Sequence, residues 1–212
     1  MPRGMIATPG YPCVLGGVIL VLLGWALGSW LLTLVGLAGG GFFAYFFRDP
    51  ERVIPLDPEA VVSPADGKVV ILDEVREEEF LQAPARRLAI FMNVFDVHVN
   101  RTPVSGTVAA AEHRAGEFKA AYKAEAGWRN EQRATLLERQ DGRRVLVVQI
   151  AGLLARRIVP FVQPGSQVVR GERLGMICFG SRVDLYLPPE SQILVKVGER
   201  VRAGSSVVAR WL

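Results

Sequence analysis

The sequence predicts a mainly β domain behind two apolar helices, and three observations carry that expectation. From Gly4 to Phe47 no residue is charged. After residue 60 the apolar residues come in short runs broken by Gly or Pro, a pattern of strands and tight turns. A glycine-punctuated segment also occurs twice at an offset of 33 residues, which marks two hairpins of one build. With 212 residues, 50% of them hydrophobic and 22% charged, the chain can bury one substantial core and is not a disordered protein.

The charge-free stretch is the length of two membrane spans of roughly 20 residues each. It divides at Gly28-Ser29, giving arms from Val14 to Leu27 and from Trp30 to Phe47, the first short for a full span. Arg3 precedes the hairpin and Arg48 and Arg52 follow it, so the positive-inside rule places both ends and the following domain in the cytoplasm, anchored at the cell (inner) membrane. The aromatic cluster Phe42, Phe43, Tyr45, Phe46 and Phe47 suits the interface. A cleaved signal peptide ending near Ala26-Leu27-Gly28 is the rival reading, weakened by a second apolar arm that follows at once. The expected domains are residues 1–47 (membrane hairpin), 48–60 (a linker held extended by Pro50, Pro55 and Pro58) and 61–212 (the β domain).

Within that domain the expected strands are Lys68 to Val75, Leu88 to Phe95, Val104 to Ala110, Val145 to Ala151, Arg157 to Val162, Gln167 to Ile177, Arg182 to Leu187, Gln192 to Val197 and Ser206 to Trp211. Helical periodicity of useful length is missing after residue 60 except around Glu112 to Ala126. The repeat pairs residues 162–171 with residues 195–204, and a looser pair is Pro64-Ala65-Asp66-Gly67 with Pro103-Val104-Ser105-Gly106. Such hairpins resemble the barrel-sandwich of lipoyl and biotinyl carrier domains. A carrier presents a modifiable Lys between its halves, but residues 172–194 contain none. What stands there is Gly180-Ser181.

A net charge of +4 suggests an acidic partner. The basic residues come as scattered pairs (Arg86-Arg87, Arg143-Arg144, Arg156-Arg157), so an anionic membrane surface fits and a nucleic acid does not. Cys13 and Cys178 are the only cysteines, which suits a reducing compartment, and no metal-ligand set is expected.

Gly180-Ser181 lies between an apolar run and the alternating Val183, Leu185, Leu187, which puts a hydroxyl nucleophile at a strand corner; a plain tight turn is the other reading. Of the two histidines, His98 lies in a run whose alternation sets Asp96, His98 and Asn100 on one strand face, while His113 sits among polar residues as a surface histidine would. Asp66 reads by turn chemistry as part of a Pro-x-Asp-Gly turn. Asp66, His98 and Ser181 together supply an acid, a base and a hydroxyl, a set that can orient an imidazole and activate a nucleophile.

The segment Phe179-Gly180-Ser181-Arg182 resembles the self-cleavage site of the phosphatidylserine decarboxylases, in their short form. Further matches in order are Ser63 to Gly67, Val97 to Arg101 with Pro103 and Gly106, Asn130-Glu131, Gln149 to Leu153 with Arg156-Arg157, and Gly171 through Pro188. The resemblance implies a proenzyme that cuts itself between Gly180 and Ser181 with the help of His98 and Asp66. The products are a membrane-attached chain 1–180 and a small chain 181–212, held together as a heterodimer, with higher oligomers left open. Ser181 then becomes a covalent pyruvoyl cofactor that forms a Schiff base with the amine of an anionic phospholipid, phosphatidylserine, and accepts the electrons released with carbon dioxide. Asn130, Glu131, Arg156, Arg157 and Arg182 are the weaker candidates for substrate contact or site support. Longer family members carry a second histidine where this chain has Arg101, and a basic residue is expected where Cys178 stands. The rivals are a membrane-tethered serine hydrolase using Ser181, His98 and Asp66, a decarboxylase of an archaeal-type ether lipid, and a membrane-anchored barrel-sandwich adaptor without enzymatic activity.

Overall fold

The structure, a computed structural model, describes residues 5–116, 130–152, 157–178 and 180–211. The chain divides into two compact units, Met1–Glu51 and Arg52–Leu212.

In the first unit a 3-10 turn at Thr8–Gly10 leads into α1 (Tyr11–Ala26), and α2 (Trp30–Phe46) follows after a turn at Gly28-Ser29. The Ser29 hydroxyl caps α2 by accepting from Leu32 N at 3.4 Å. α1 begins at Tyr11 rather than at Val14 because Pro12 sits in its first turn, where the missing N–H costs nothing. The two helices meet through small residues: a Cβ on Gly17 would lie 2.5 Å from Gly40 Cα, and one on Gly36 2.7 Å from Val21 N. Thr8–Ala26 is long and apolar enough to cross a membrane, and α2 is a shorter apolar helix of 17 residues. Leu15, Leu22, Leu31 and Leu34 point outward from the pair.

The second unit is mainly β. Its first seven strands are β1 (Ala60–Val62), β2 (Gly67–Glu77), β3 (Ala83–Met92), β4 (Val99–Arg101), β5 (Gly106–Arg114), β6 (Gln132–Glu138) and β7 (Arg144–Ala151). The others are β8 (Ile158–Pro160), β9 (Gln167–Val168), β10 (Arg173–Ile177), β11 (Ser181–Leu187), β12 (Gln192–Ile193), β13 (Arg200–Val201) and β14 (Val207–Arg210). An eight-stranded antiparallel sheet has the order β13-β2-β3-β11-β7-β6-β5-β9, and two three-stranded sheets have the orders β1-β14-β12 and β4-β10-β8.

These orders contain a two-fold relation that the sequence repeat only hints at. Exchanging β1, β2 and β3 for β4, β5 and β6, β11 for β7, and β12, β13 and β14 for β8, β9 and β10 maps each sheet order onto another or onto itself. The hydrogen bonds follow the same exchange. Pro64 O accepts from Arg101 N at 2.9 Å and Pro103 O from Val62 N at 3.0 Å; Ser63 O accepts from Gly204 N and Thr102 O from Gly171 N, both at 2.8 Å. Gly165 and Gly198 share φ of +84° and +95°, and Gly171 and Gly204 share +82° and +75°, so the repeated glycines mark turns of one left-handed geometry. The domain is therefore two interwoven halves meeting at the β7–β11 pair. The chain leaves the second half at β10 and re-enters the first at β11.

Three local expectations are corrected. β6 was not expected as a strand. Glu112, His113 and Arg114 belong to β5 and not to a helix, while residues 117–126 of that stretch lie outside the described residues. Residues 167–177 form two strands, because Gly171 turns the chain between β9 and β10. Alternation on the large sheet sends Leu88, Ile90, Val145, Val147, Val183 and Leu185 into the main core, while Ala134, Leu136, Leu146, Val148 and Ile150 pack on the other face with Phe80 and Tyr186.

Candidate active site

Ser181 opens β11, the strand held between β3 and β7, with Met92 and Ala151 as its cross-strand partners. It is fully buried on the main-core face. Gly180 before it adopts φ +53°, and nothing lies within 4 Å of where a Cβ would be, so glycine is needed there for conformation and not for space. The Ser181 hydroxyl donates to Met92 Sδ at 3.4 Å. Asn100 Nδ2 donates to the same sulfur at 3.5 Å, and Gln149 Nε2 donates to Asn100 Oδ1 at 2.7 Å. Both amide residues are fully buried, so a short polar chain runs from the hydroxyl into the core.

His98, also fully buried, immediately precedes β4. Its Nδ1 lies 2.9 Å from Asp96 O. A carbonyl only accepts, so Nδ1 carries a proton, and in the neutral form of the ring the lone pair is then on Nε2, the tautomer a general base requires. His98 O accepts from Ile177 N at 3.3 Å and Arg157 O from Cys178 N at 3.2 Å, so the two residues at the end of β10 are tied down just before the Gly180-Ser181 bond. Asp96 Oδ2 accepts from Asn93 N at 2.9 Å, and its other oxygen pairs with Arg200.

The carboxylate of Asp66 is bound by Arg52, with Nη2 3.0 Å from Oδ1, and by Ala203 N at 2.8 Å. Ser105 occupies the equivalent turn of the other half, where its hydroxyl accepts from Arg170 N at 2.9 Å. Asp66 thus holds a turn that is itself bonded to β4 through Arg101 N, while the His98 ring is oriented by a backbone carbonyl. Asn130 Nδ2 donates to Ala151 O at 2.7 Å and Glu131 O accepts from Ala151 N at 2.9 Å, which fixes the end of β7 opposite Ser181. Glu131 also faces His113 Nε2 at 3.6 Å. Arg182 lies on the sheet face opposite Ser181, fully buried, with Nε and Nη2 on Asp184 Oδ1 and Oδ2 at 2.7 and 2.8 Å. Arg157 is exposed, and Arg156 lies outside the described residues.

Burial pushes the Asp184 carboxyl up, with Arg182 opposing. Burial, followed by the Asp184 charge, pushes the Tyr186 hydroxyl up to about 12. These groups form a structural charge cluster on the back of β11. An open surface hollow bounded by Glu74, Arg76, Pro84 and Pro189 sits at the opposite end of β3 and β11 from Ser181, so the chemistry-bearing residues select the site and that hollow does not.

The phosphatidylserine decarboxylase family model matches residues 40–209, across the whole of this arrangement. The chain belongs to the phosphatidylserine decarboxylase family. Curated family members named phosphatidylserine decarboxylase proenzyme are similar over almost their whole length. That of Symbiobacterium thermophilum is 46% identical over 214 residues, covering 99% of this chain and 97% of that protein. That of Syntrophus aciditrophicus is 44% identical over 202 residues (95% of each), and that of Desulfotalea psychrophila 40% over 209 residues (99% of this chain, 98% of that protein). In this family member, sequence reasoning missed Met92, whose apolar type carries no chemical signal. Gln149 stands in one of the matched segments, and nothing local in the sequence assigns it a role.

Proposed function

We propose that this protein converts phosphatidylserine to phosphatidylethanolamine and carbon dioxide after cutting its own chain between Gly180 and Ser181. The observation that carries the reading is Ser181 itself: a buried hydroxyl at the first residue of a central strand, behind a glycine in the left-handed region. The Ser181 Oγ attacks the Gly180 carbonyl carbon, the Oγ–C bond forms and the C–N bond to residue 181 breaks, leaving an ester and a free amine. Removal of the Ser181 Cα proton and departure of the Gly180 carboxylate give dehydroalanine. Tautomerisation and addition of water then release ammonia and leave a pyruvoyl group at residue 181. His98 is the base assigned to these proton transfers, by way of Nε2. Asp66 is the supporting acid, acting through the turn bonded to β4.

The surroundings suit such a group. Position 181 is shielded from water, held by β3 and β7, and next to the buried amides of Asn100 and Gln149. When present, the pyruvoyl carbonyl serves as an electron sink for the pair released with carbon dioxide. His98 then delivers a proton to the substrate carbon. Asn130 and Glu131 keep the β7 end in place, and Arg156 and Arg157 are the cations assigned to substrate contact or site support. Arg182 supports the site from behind by fixing β11.

The same proposal includes the membrane. α1 and α2 anchor the protein in the cell membrane with Arg48 and Arg52 on the cytoplasmic side, and the two-fold β domain is of barrel-sandwich type. Intact-mass analysis of purified protein tests it. The expected result is two chains, 1–180 and 181–212, the small one lighter than its encoded peptide and increased in mass by borohydride with phosphatidylserine. Ser181→Ala is expected to remain uncut and inactive. An active small chain starting with unmodified serine would refute the mechanism.

A further inference from the structure

The buried amide of Gln149 contains an acceptor that the fold leaves unused. A thioether sulfur only accepts, so Met92 Sδ fixes the direction of the polar chain: the Asn100 NH2 faces the sulfur and its oxygen faces Gln149. Gln149 must therefore present its own NH2 to Asn100, and its Oε1 is left over. That oxygen is fully buried and has no donor among the described residues. Turning the Gln149 amide over would set two oxygens against each other, so the arrangement does not relieve itself.

The sheet register brings this atom to the reacting position. Gln149 lies directly across from Val183 and Ala151 directly across from Ser181, so Gln149 and Ser181 are diagonal neighbours on one face. Diagonal pairs stand about 7–8 Å apart at Cα, within reach of a long side chain. Gly175 on β10 crowds the same amide, since a Cβ there would lie 3.1 Å from Gln149 Nε2 and 3.2 Å from its oxygen. The side chain is thereby confined, and its spare acceptor is one that the N–H of an arriving ligand can satisfy.

We propose that Gln149 Oε1 accepts a hydrogen bond from the primary amine of the lipid substrate as it reaches residue 181. This rests on the decarboxylase reading above and adds to it a substrate-binding residue selective for the amine. A carboxamide oxygen draws an N–H donor without adding charge, whereas it gives nothing to a lipid headgroup that brings no N–H or O–H donor to that point. Asn100 positions Gln149, and Met92 positions Asn100.

The test uses the full-length protein in detergent with Gln149→Met, which keeps the chain length without the oxygen, and Gln149→Glu, whose buried carboxyl in its protonated form donates O–H to Asn100 Oδ1 in place of the amide and keeps its other oxygen as the acceptor. Three quantities are read: self-cleavage on a denaturing gel, reduction of residue 181 by borohydride alone, and the phosphatidylethanolamine concentration for half-maximal reductive attachment of the lipid to the small chain by intact mass. Gln149→Met is expected to be cut and reduced like the parent but to need about 10- to 100-fold more phosphatidylethanolamine, the range for losing a buried hydrogen bond to a charged donor. Gln149→Glu is expected to stay within a few-fold of the parent. An unchanged half-maximal concentration in cut Gln149→Met, an equal rise in both variants, or failure of both to be cut would overturn the assignment. Failure of the parent protein to be cut or trapped would instead overturn the decarboxylase reading.

Discussion

The ion pair on the sheet face behind Ser181 offers the most quantitative test of how β11 is held. Arg182 and Asp184 meet in a bidentate contact at 2.7 and 2.8 Å with side chains 0% and 1% exposed. Asp184→Leu takes the bidentate carboxylate away from a buried guanidinium that cannot shed its proton, at a cost of about 3–5 kcal/mol. With a urea slope near ~2 kcal/mol/M, the unfolding midpoint falls by roughly 1.5–2.5 M. Arg182→Met leaves the opposite charge, which can neutralise itself. Burial has already raised the Asp184 pKa, and Arg182 is the first of the groups that oppose the rise. Removing Arg182 raises it further, so the folded state keeps a proton that the unfolded chain has released. That contribution is complete below the unfolded carboxyl pKa and is lost as pH climbs through the folded value. Arg182→Met is therefore expected to be less costly than Asp184→Leu, and to lose stability from pH 5 to pH 8 more steeply than the parent. The double variant should regain most of the loss. Urea titration of the full chain in a Ser181→Ala background, followed by tryptophan fluorescence, measures all four proteins. A midpoint for Asp184→Leu within about 0.5 M of the parent, or a pH response of Arg182→Met no steeper than the parent's, would refute the reasoning.

Two further outcomes follow from the interwoven halves. After cleavage, residues 181–212 should stay with the large chain through native chromatography and separate only on denaturation, because β11 pairs with β3 and β7, β13 with β2, and β14 with β1; release under native conditions would contradict the pairing. Asp66→Ser introduces the residue type that Ser105 provides at the equivalent turn, so the protein should fold, with a parent-like circular dichroism spectrum, yet cut at least about tenfold more slowly for want of the carboxylate. Parent-like cutting would remove the Asp66 charge from the step.

The sequence by itself determined the apolar helices and the β class, and it singled out Ser181 as the candidate nucleophile. A charge-free run, Gly-punctuated apolar runs and a hydroxyl after glycine at a strand corner are local signals that need no partner to be read. The 33-residue repeat was legible for the same reason, since its glycines mark turns set by backbone conformation alone. β6 was not legible, because Ala134 and Leu136 bury one face and Thr135 and Leu137 the other, which erases the period-two pattern. Nor were the partners of the charged residues. Asp66 and Arg182 read in the sequence only as two charged residues, and packing alone decides that Arg182 turns to Asp184 while Asp66 takes Arg52 and Ala203. The polar chain from Ser181 through Met92 and Asn100 to Gln149 joins four separate stretches, β11, β3, β4 and β7, so its existence depends on strand register, a long-range property that no local pattern encodes.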